Sequence, residues 1–126
     1  MTNYLAIDYG TKRIGLAYTQ NEIIFTLPQL RNDKNLFSKI KKIISDYDIQ
    51  NIFIGLSEGR VATQTLDFIS RFREQSSIPI DTVEEAVSTL EAESLYKKLG
   101  KKKKEYKKNI DSFSAAVILG RALGYN

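Results

Sequence analysis

The architecture of this chain follows from one segment near its start, Leu5-Ala6-Ile7-Asp8-Tyr9-Gly10-Thr11-Lys12-Arg13-Ile14-Gly15-Leu16-Ala17. Two apolar runs flank a turn that contains a glycine, and this pattern predicts two antiparallel strands joined as a hairpin. A further apolar run at residues 23–27 predicts a third strand, which we expect to end at Pro28 because proline has no N–H to donate to a sheet. The chain is therefore predicted to open with a three-stranded meander.

Downstream of the meander, helical and strand patterns alternate. Residues 33–47 have the apolar spacing of a helix, with Asn32 or Asp33 as the expected N-cap. Residues 51–56 form a continuous apolar run, which is typical of a strand covered on both faces. A second helix follows, with three residues predicted to point inward: Leu66, Ile69 and Phe72.

A fifth strand is predicted at residues 78–83, and a third helix from Ser88 or Thr89 to Tyr96. The last helix is predicted over residues 113–123, with Asp111 or Ser112 as its N-cap. The order β-β-β-α-β-α-β-α-α predicts one α/β domain over residues 1–126, with a mixed five-stranded sheet flanked by helices.

The composition restricts the chemistry, because the chain contains no cysteine and no histidine. Disulfides, thiolate nucleophiles, cysteine-based metal sites and Ser-His-Asp triads are therefore excluded. We expect carboxylates, lysines, hydroxyls or a bound metal to carry any catalysis. Carboxylates are suitable ligands for Mg2+ or Mn2+.

The net charge of +4 is distributed unevenly. Residues 97–108 contain eight of the 19 basic residues and one of the 15 acidic ones, so this segment carries +7 and the rest of the chain −3. Such a segment favours a polyanion, of which a phosphate backbone is the usual one. A solvated lysine-rich loop that maintains solubility explains the same feature, and the charge pattern leaves both interpretations open.

We expect a cytoplasmic protein without a membrane partner. The first residues do not resemble a secretory signal, and no apolar run reaches the roughly 20 residues that a membrane-spanning helix needs.

Carboxylates at three places could together bind metal. Asp8 ends an apolar strand, Glu84 and Glu85 follow the fifth strand, and Asp111 lies at the predicted start of the last helix. If they converge, they could hold two metal ions roughly 4 Å apart for an in-line phosphodiester displacement. There are alternatives: Asp8 could cap the turn, the two glutamates could be a solvated pair, and Asp111 could cap the helix. Alternation of side chains along a strand does not choose between Glu84 and Glu85.

The turn after Asp8 contains groups that suit a phosphate. Its glycines permit close backbone approach, and Lys12 and Arg13 could hold a phosphodiester. An ordinary hairpin with two exposed basic residues is the alternative.

Together these segments resemble one family, the YqgF/RuvX family of bacterial proteins regarded as Holliday junction resolvases and pre-16S ribosomal RNA nucleases. The similarity rests on the segment from Leu5 to Ala17, on Gly55-Leu56-Ser57-Glu58-Gly59, on residues 83–92 and on Asp111-Ser112-Phe113-Ser114-Ala115, which follows a lysine-rich segment. It extends along nearly the whole chain.

The resemblance implies a ribonuclease H-like fold and a nuclease that depends on Mg2+ or Mn2+. It places the acidic triad, both catalytic and metal-binding, at Asp8, Glu85 and Asp111, and so selects Glu85 over Glu84. It also implies processing of the 5′ end of pre-16S ribosomal RNA, with cleavage of branched DNA as the alternative. The protein could be a monomer or a homodimer, and it could act on the ribosome. For contacts with nucleic acid we expect eight basic residues: Lys12, Arg13, Lys101, Lys102, Lys103, Lys104, Lys107 and Lys108.

Three of the positions at which the chain departs from the family pattern concern the motifs around the candidate site. Ser57 stands where the family has proline, Glu84 where it has aspartate, and Ala86 where it has arginine. Loss of an arginine removes a bidentate contact to phosphate or carboxylate. This motivates a second hypothesis, a non-catalytic module that binds RNA or the ribosome. An actin-like ATPase or kinase also opens with an Asp-x-Gly hairpin, but it needs two such domains.

Overall fold

The computed structural model describes residues 1–56, 60–84 and 103–124; for residues 60 and 103–111 it describes the backbone alone. Five strands and three helices lie in these ranges: β1 (Tyr4–Asp8), β2 (Arg13–Gln20), β3 (Ile23–Arg31), α1 (Leu36–Asp46), β4 (Asn51–Leu56), α2 (Arg60–Arg73), β5 (Ile80–Glu84) and α3 (Lys103–Leu123). The third helix predicted from Ser88 or Thr89 lies outside the described residues.

The five strands form one mixed sheet in the order β3-β2-β1-β4-β5. The strands β1 and β2 pair antiparallel, as do β2 and β3, whereas β4 pairs parallel with both β1 and β5. The predicted meander and mixed α/β sheet are therefore confirmed. Of these five strands, β2 alone runs against the others, so the carboxyl ends of β1, β3, β4 and β5 share one edge, called here the carboxyl edge.

Each face of the sheet has its own core. On one face Leu5, Ile7 and Ile54 pack against residues of α1 and α2, among them Ile40 and Phe72. On the other face Ala6 and Ala17 pack against three residues of α3: Ala115, Ile118 and Leu119. The small side chains on β1 and β2 let α3 approach the sheet closely.

The prediction that β3 ends at Pro28 is wrong, because the strand continues to Arg31. β3 lies at the edge of the sheet, where a missing N–H costs nothing if it points away from the neighbouring strand. The register with β2 also shifts here, since Ile14 pairs with Leu30 but Leu16 pairs with Leu27. Pro28 thus lies within a bulge, which is one of the few places a strand tolerates it.

Two details of the helices differ from expectation. The inward face of α2 contains Thr65, Phe68, Ile69 and Phe72, whereas Leu66 is 52% exposed. Positions 65, 68, 69 and 72 form one helical stripe, and Leu66 lies beside it. The N-cap of α1 is Asn35 and not the predicted Asn32 or Asp33, and Asn35 makes no side-chain capping bond.

α3 begins at Lys103, which is well before the predicted start at Phe113. Lysine and glutamate are good helix formers, so the charged segment continues the helix that the buried residues stabilise. Asp111 therefore lies inside α3, and the prediction that it caps this helix is wrong. No helix within the described ranges is long and apolar enough to span a membrane.

Candidate active site at the carboxyl edge

The turn between β1 and β2 is held in shape by Asn32. Its Nδ2 donates to the Gly10 carbonyl at 2.9 Å and to the Tyr9 hydroxyl at 3.1 Å, and its backbone N–H donates to the Lys12 carbonyl at 2.9 Å. Asn32 follows β3 directly, and β3 ends at the same edge as β1. The local pattern indicates Asn32 only as one of two possible helix caps, with Asp33 as the other, because pairing between distant strands leaves no local signal.

Gly10 is required by the tightness of this turn. A Cβ atom at this position would lie 2.4 Å from the carbonyl oxygen of Arg13, which is closer than real Cβ atoms approach. The oxygen belongs to the backbone and cannot swing aside as a side chain could. The turn therefore fixes the direction in which the chain leaves Asp8.

Asp8 is a half-buried carboxylate at the end of β1. Side chains alternate between the two faces along a strand, so Asp8 lies on the same face as Tyr4 and Ala6, the face that α3 covers. Asp8 takes part in an interaction with a further group. Its position at a strand end of an α/β sheet is where ligand sites of such sheets occur.

Glu84 does not share this face. Val83 packs in the core beneath α3, so Glu84, the next residue of β5, points to the opposite side of the sheet. Its carbonyl oxygen accepts a hydrogen bond of 2.6 Å from the Arg121 guanidinium of α3. Glu85 follows immediately and lies outside the described residues.

The backbone of Asp111 belongs to α3, the helix that covers the face of Asp8. The neighbouring Ser112 is buried, and its hydroxyl donates to the Leu27 carbonyl at 2.7 Å. Leu27 pairs with Leu16, and Leu16 pairs with Ile7, the residue before Asp8. This bond fixes that part of α3 near the end of the sheet at which β1 stops.

The predicted basic residues fall into two groups. Lys12 and Arg13 are exposed in the turn and at the start of β2. Arg13 pairs with Arg31 across the sheet, so two cations lie side by side at the carboxyl edge. Like charges placed opposite each other destabilise a sheet, and a bound anion would relieve that repulsion. Arg31 was missed because its partner is remote in sequence.

The second group lies in the lysine-rich segment. The backbones of Lys103, Lys104, Lys107 and Lys108 belong to α3, whereas Lys101 and Lys102 lie outside the described residues. Within the part of the chain whose side chains are described, no three acidic residues form a metal-binding group. Two of the three predicted carboxylates, Glu85 and Asp111, are not in that part.

Comparison with known proteins supports the same interpretation of the motifs. A sequence profile of the RuvX family, described as a Holliday junction resolvase, matches residues 2–125. This chain belongs to the RuvX family. It is 34% identical to a provisionally named pre-16S rRNA nuclease of Maridesulfovibrio salexigens over 125 residues, which cover 91% of this chain and 93% of that protein.

A provisionally named pre-16S rRNA nuclease of Rickettsia canadensis is 30% identical, over 97% of this chain and 86% of that protein. Among solved structures, Thermus thermophilus RuvC in complex with a Holliday junction substrate matches with a TM-score of 0.58 at 9% identity, covering 98% of this chain and 97% of RuvC. The RuvX-family chain therefore has the ribonuclease H-like fold that its motifs predict, and its family is one of nucleases.

Proposed function

We propose that this RuvX-family protein is a metal-dependent endonuclease that processes the 5′ end of pre-16S ribosomal RNA. The observation that carries the proposal is the half-buried Asp8 at the carboxyl edge, on the face covered by the helix that contains Asp111. Membership of a nuclease family supports the reaction class, and the names of the relatives support the RNA substrate.

We assign the catalytic carboxylates to Asp8, Glu85 and Asp111. Alternation along β5 supports Glu85, because Glu84 points away from the face of Asp8. The interior position of Asp111 in α3 supports its role as well, since helix capping no longer accounts for it.

The donor set fits Mg2+ or Mn2+, because all three residues offer hard oxygen ligands. When bound, such ions would stabilise charge at the phosphate and make water a nucleophile at neutral pH. A protein without histidine needs that activation from a source other than an imidazole base. Asp8, Glu85 and Asp111 would hold the ions. The rigid turn at Gly10 would orient Asp8 toward them.

Basic residues at the carboxyl edge would hold the substrate. Lys12 and Arg13 contact the phosphodiester beside Asp8, and Arg31 completes a patch that a phosphate neutralises. The lysines at 101–104, 107 and 108 contact the nucleic-acid backbone on either side of that phosphodiester. Binding through phosphates depends strongly on salt concentration and little on base sequence. The partner is thus a nucleic acid, met as free precursor or on the ribosome.

In this proposal residues 1–126 act as one ribonuclease H-like domain in the cytoplasm. Cleavage of RNA at one phosphodiester needs one active site, so a monomer suffices. Symmetric cleavage of a four-way DNA junction needs two active sites and hence a homodimer. The family description keeps a resolvase-like DNA nuclease as the second candidate.

The test is cleavage of a labelled RNA that spans the 5′ end of pre-16S RNA, alongside a four-way DNA junction. Each is incubated with Mg2+, with Mn2+ and with chelator. We expect metal-dependent cutting of the RNA. Cutting of the junction alone would support the second candidate, and salt-sensitive binding without cutting of either would support the non-catalytic module that Ala86 suggests.

A further inference from the structure

A pocket of about 200 Å3 opens beside the turn, on the face of the sheet opposite to α3. Its walls include the aromatic rings of Tyr9, Phe37 and Phe68, and its rim includes Lys34, Asp67 and other polar residues. A second, more open pocket adjoins it through Tyr9 and Asp67 and extends toward Thr11 in the turn. Tyr9 follows Asp8 directly. The pocket and the candidate active site therefore lie on opposite faces of the sheet but meet at its carboxyl edge, through two consecutive residues.

The hydrogen bonds of Asn32 determine which polar atoms of Asn32 and Tyr9, two residues that line this pocket, remain unused. The Gly10 carbonyl can only accept, so the amide nitrogen of Asn32 must point at it. The second hydrogen of that nitrogen goes to the Tyr9 hydroxyl oxygen. Among the described residues this leaves the Tyr9 hydroxyl hydrogen without an acceptor and the Asn32 Oδ1 without a donor.

Tyr9 and Asn32 both line the aromatic pocket, so an unused donor and an unused acceptor belong to two hydrogen-bonded residues of its wall. This combination matches the polar edge of a planar heterocycle, which offers an acceptor and a donor next to each other. The ring of Tyr9 is fixed against Phe68 at a centroid distance of 5.0 Å, so the hydroxyl is held in place.

The charges at the rim argue against a phosphate in this pocket. Lys34 and Arg71 are balanced by Asp33 and Asp67, and Asp67 pairs with Arg71 at 3.1 Å. The two carboxylates would repel an anion, but they would not repel a neutral planar ring. The chemistry that fits is a nucleobase and not its phosphate.

We propose that this pocket takes up one unpaired nucleobase of the nucleic acid strand whose phosphodiester lies at Asp8. The inference rests on the proposed function for the identity of the strand. The Tyr9 hydroxyl donates to the base, the Asn32 Oδ1 accepts from it, and the aromatic walls pack on its ring. The nuclease therefore prefers a strand that is unpaired next to the cleavage position.

The test measures binding in chelator, so it does not depend on cleavage. The affinity of a single-stranded RNA is compared with that of an oligomer of the same length in which every base is missing. The first variant is Tyr9→Phe, which keeps the ring and removes the hydroxyl, both as donor and as acceptor for Asn32, but leaves the Asn32 bonds to the Gly10 and Lys12 carbonyls. The second is Asp67→Trp, which fills the mouth from an exposed position. Tyr18→Phe is the matched control, because Tyr18 lies on β2 away from the carboxyl edge. Its hydroxyl has other surroundings than that of Tyr9: burial and the neighbouring Tyr47 raise the pKa of Tyr18.

We expect Tyr9→Phe to weaken binding of the intact RNA about three- to tenfold, as the loss of one hydrogen bond predicts, and to leave binding of the abasic oligomer unchanged. Asp67→Trp should lower the affinity for the intact RNA relative to that for the abasic oligomer; the ratio is compared because loss of Asp67 also frees Arg71, which favours the phosphates of both oligomers. Tyr18→Phe should change neither affinity. Equal losses for both oligomers, or no loss for either pocket variant while thermal unfolding shows a folded protein, would overturn the proposal. Failure of the wild type to cut RNA would overturn the proposed function but not this result.

Discussion

At the level of single residues, Gly10 is the position at which the local structure is most constrained. We predict that Gly10→Ala lowers the free energy of unfolding by about 1–3 kcal/mol, because its Cβ would overlap the Arg13 carbonyl oxygen. Gly120→Ala is the matched control, since its Cβ would meet only the Ile24 Cδ1 at 3.8 Å. Within a helix this change should raise stability by roughly 0.5–1 kcal/mol. Urea unfolding of both variants measures the difference, and equal effects would show that the Arg13 carbonyl does not exclude a Cβ at position 10.

Residue roles could be predicted from the sequence where the signal is local. The importance of Asp8 and Gly10 is apparent in a segment of a few residues. The roles of Asn32 and Arg31 are not, because both depend on the arrival of β3 beside the β1–β2 turn. A residue that acts through a distant backbone carbonyl has no pattern of its own.

At the level of elements, β5 is held at each end by an arginine. The Arg73 guanidinium of α2 donates to the Ile80 carbonyl at 3.0 Å, and the Arg121 guanidinium of α3 donates to the Glu84 carbonyl at 2.6 Å. Both bonds join a helix to the strand, but only the second adjoins Glu85. Comparison of Arg73 with Arg121 variants therefore separates the stability of β5 from the positioning of Glu85, the candidate catalytic residue.

We predict that Arg73→Ala and Arg121→Ala each lower the free energy of unfolding by about 1 kcal/mol, the usual net value of one hydrogen bond. Only Arg121→Ala should also lower kcat, with KM nearly unchanged, and Arg121→Lys should recover part of the loss. Urea unfolding and steady-state cleavage of the RNA measure the two effects. A loss of kcat that is equal in both alanine variants would show that strand stability alone matters.

The strands were the elements that sequence patterns predicted best. Continuous or paired apolar runs identified all five, and the errors lie where tertiary context overrides local preference. Pro28 is tolerated because β3 is an edge strand with a bulge. Lys103 begins α3 because buried residues farther along stabilise the helix, although Asp111 and Ser112 look like a cap.

At the level of the whole molecule, charge is separated along the chain. The segment 97–108 carries +7, and the remainder carries −3. A polyanion should therefore bind through this segment, with release of counterions as the driving force. The net charge of +4 alone would not reveal this asymmetry.

We predict that changing Lys101, Lys102, Lys103 and Lys104 together to Gln weakens RNA binding and reduces the salt dependence of the affinity. For every phosphate that the variant no longer neutralises, the slope of log K against log salt should fall by about 0.7 for a single strand. Fluorescence anisotropy over a range of salt concentrations measures this slope. An unchanged slope would show that the lysines serve solubility and do not bind the substrate.

Asp8, the carboxylate at the end of β1, decides whether the carboxyl edge is an active site. The cleavage rate and the affinity for the pre-16S RNA are compared in wild type, Asp8→Asn and Asp81→Asn, with Mg2+ and with Mn2+. Asp81 is an exposed aspartate of β5 that pairs with Phe53 away from the carboxyl edge, so it controls for loss of a charge. We predict that Asp8→Asn abolishes cleavage and largely keeps RNA binding, while Asp81→Asn behaves as wild type. Full cleavage by Asp8→Asn would contradict the assignment of the active site.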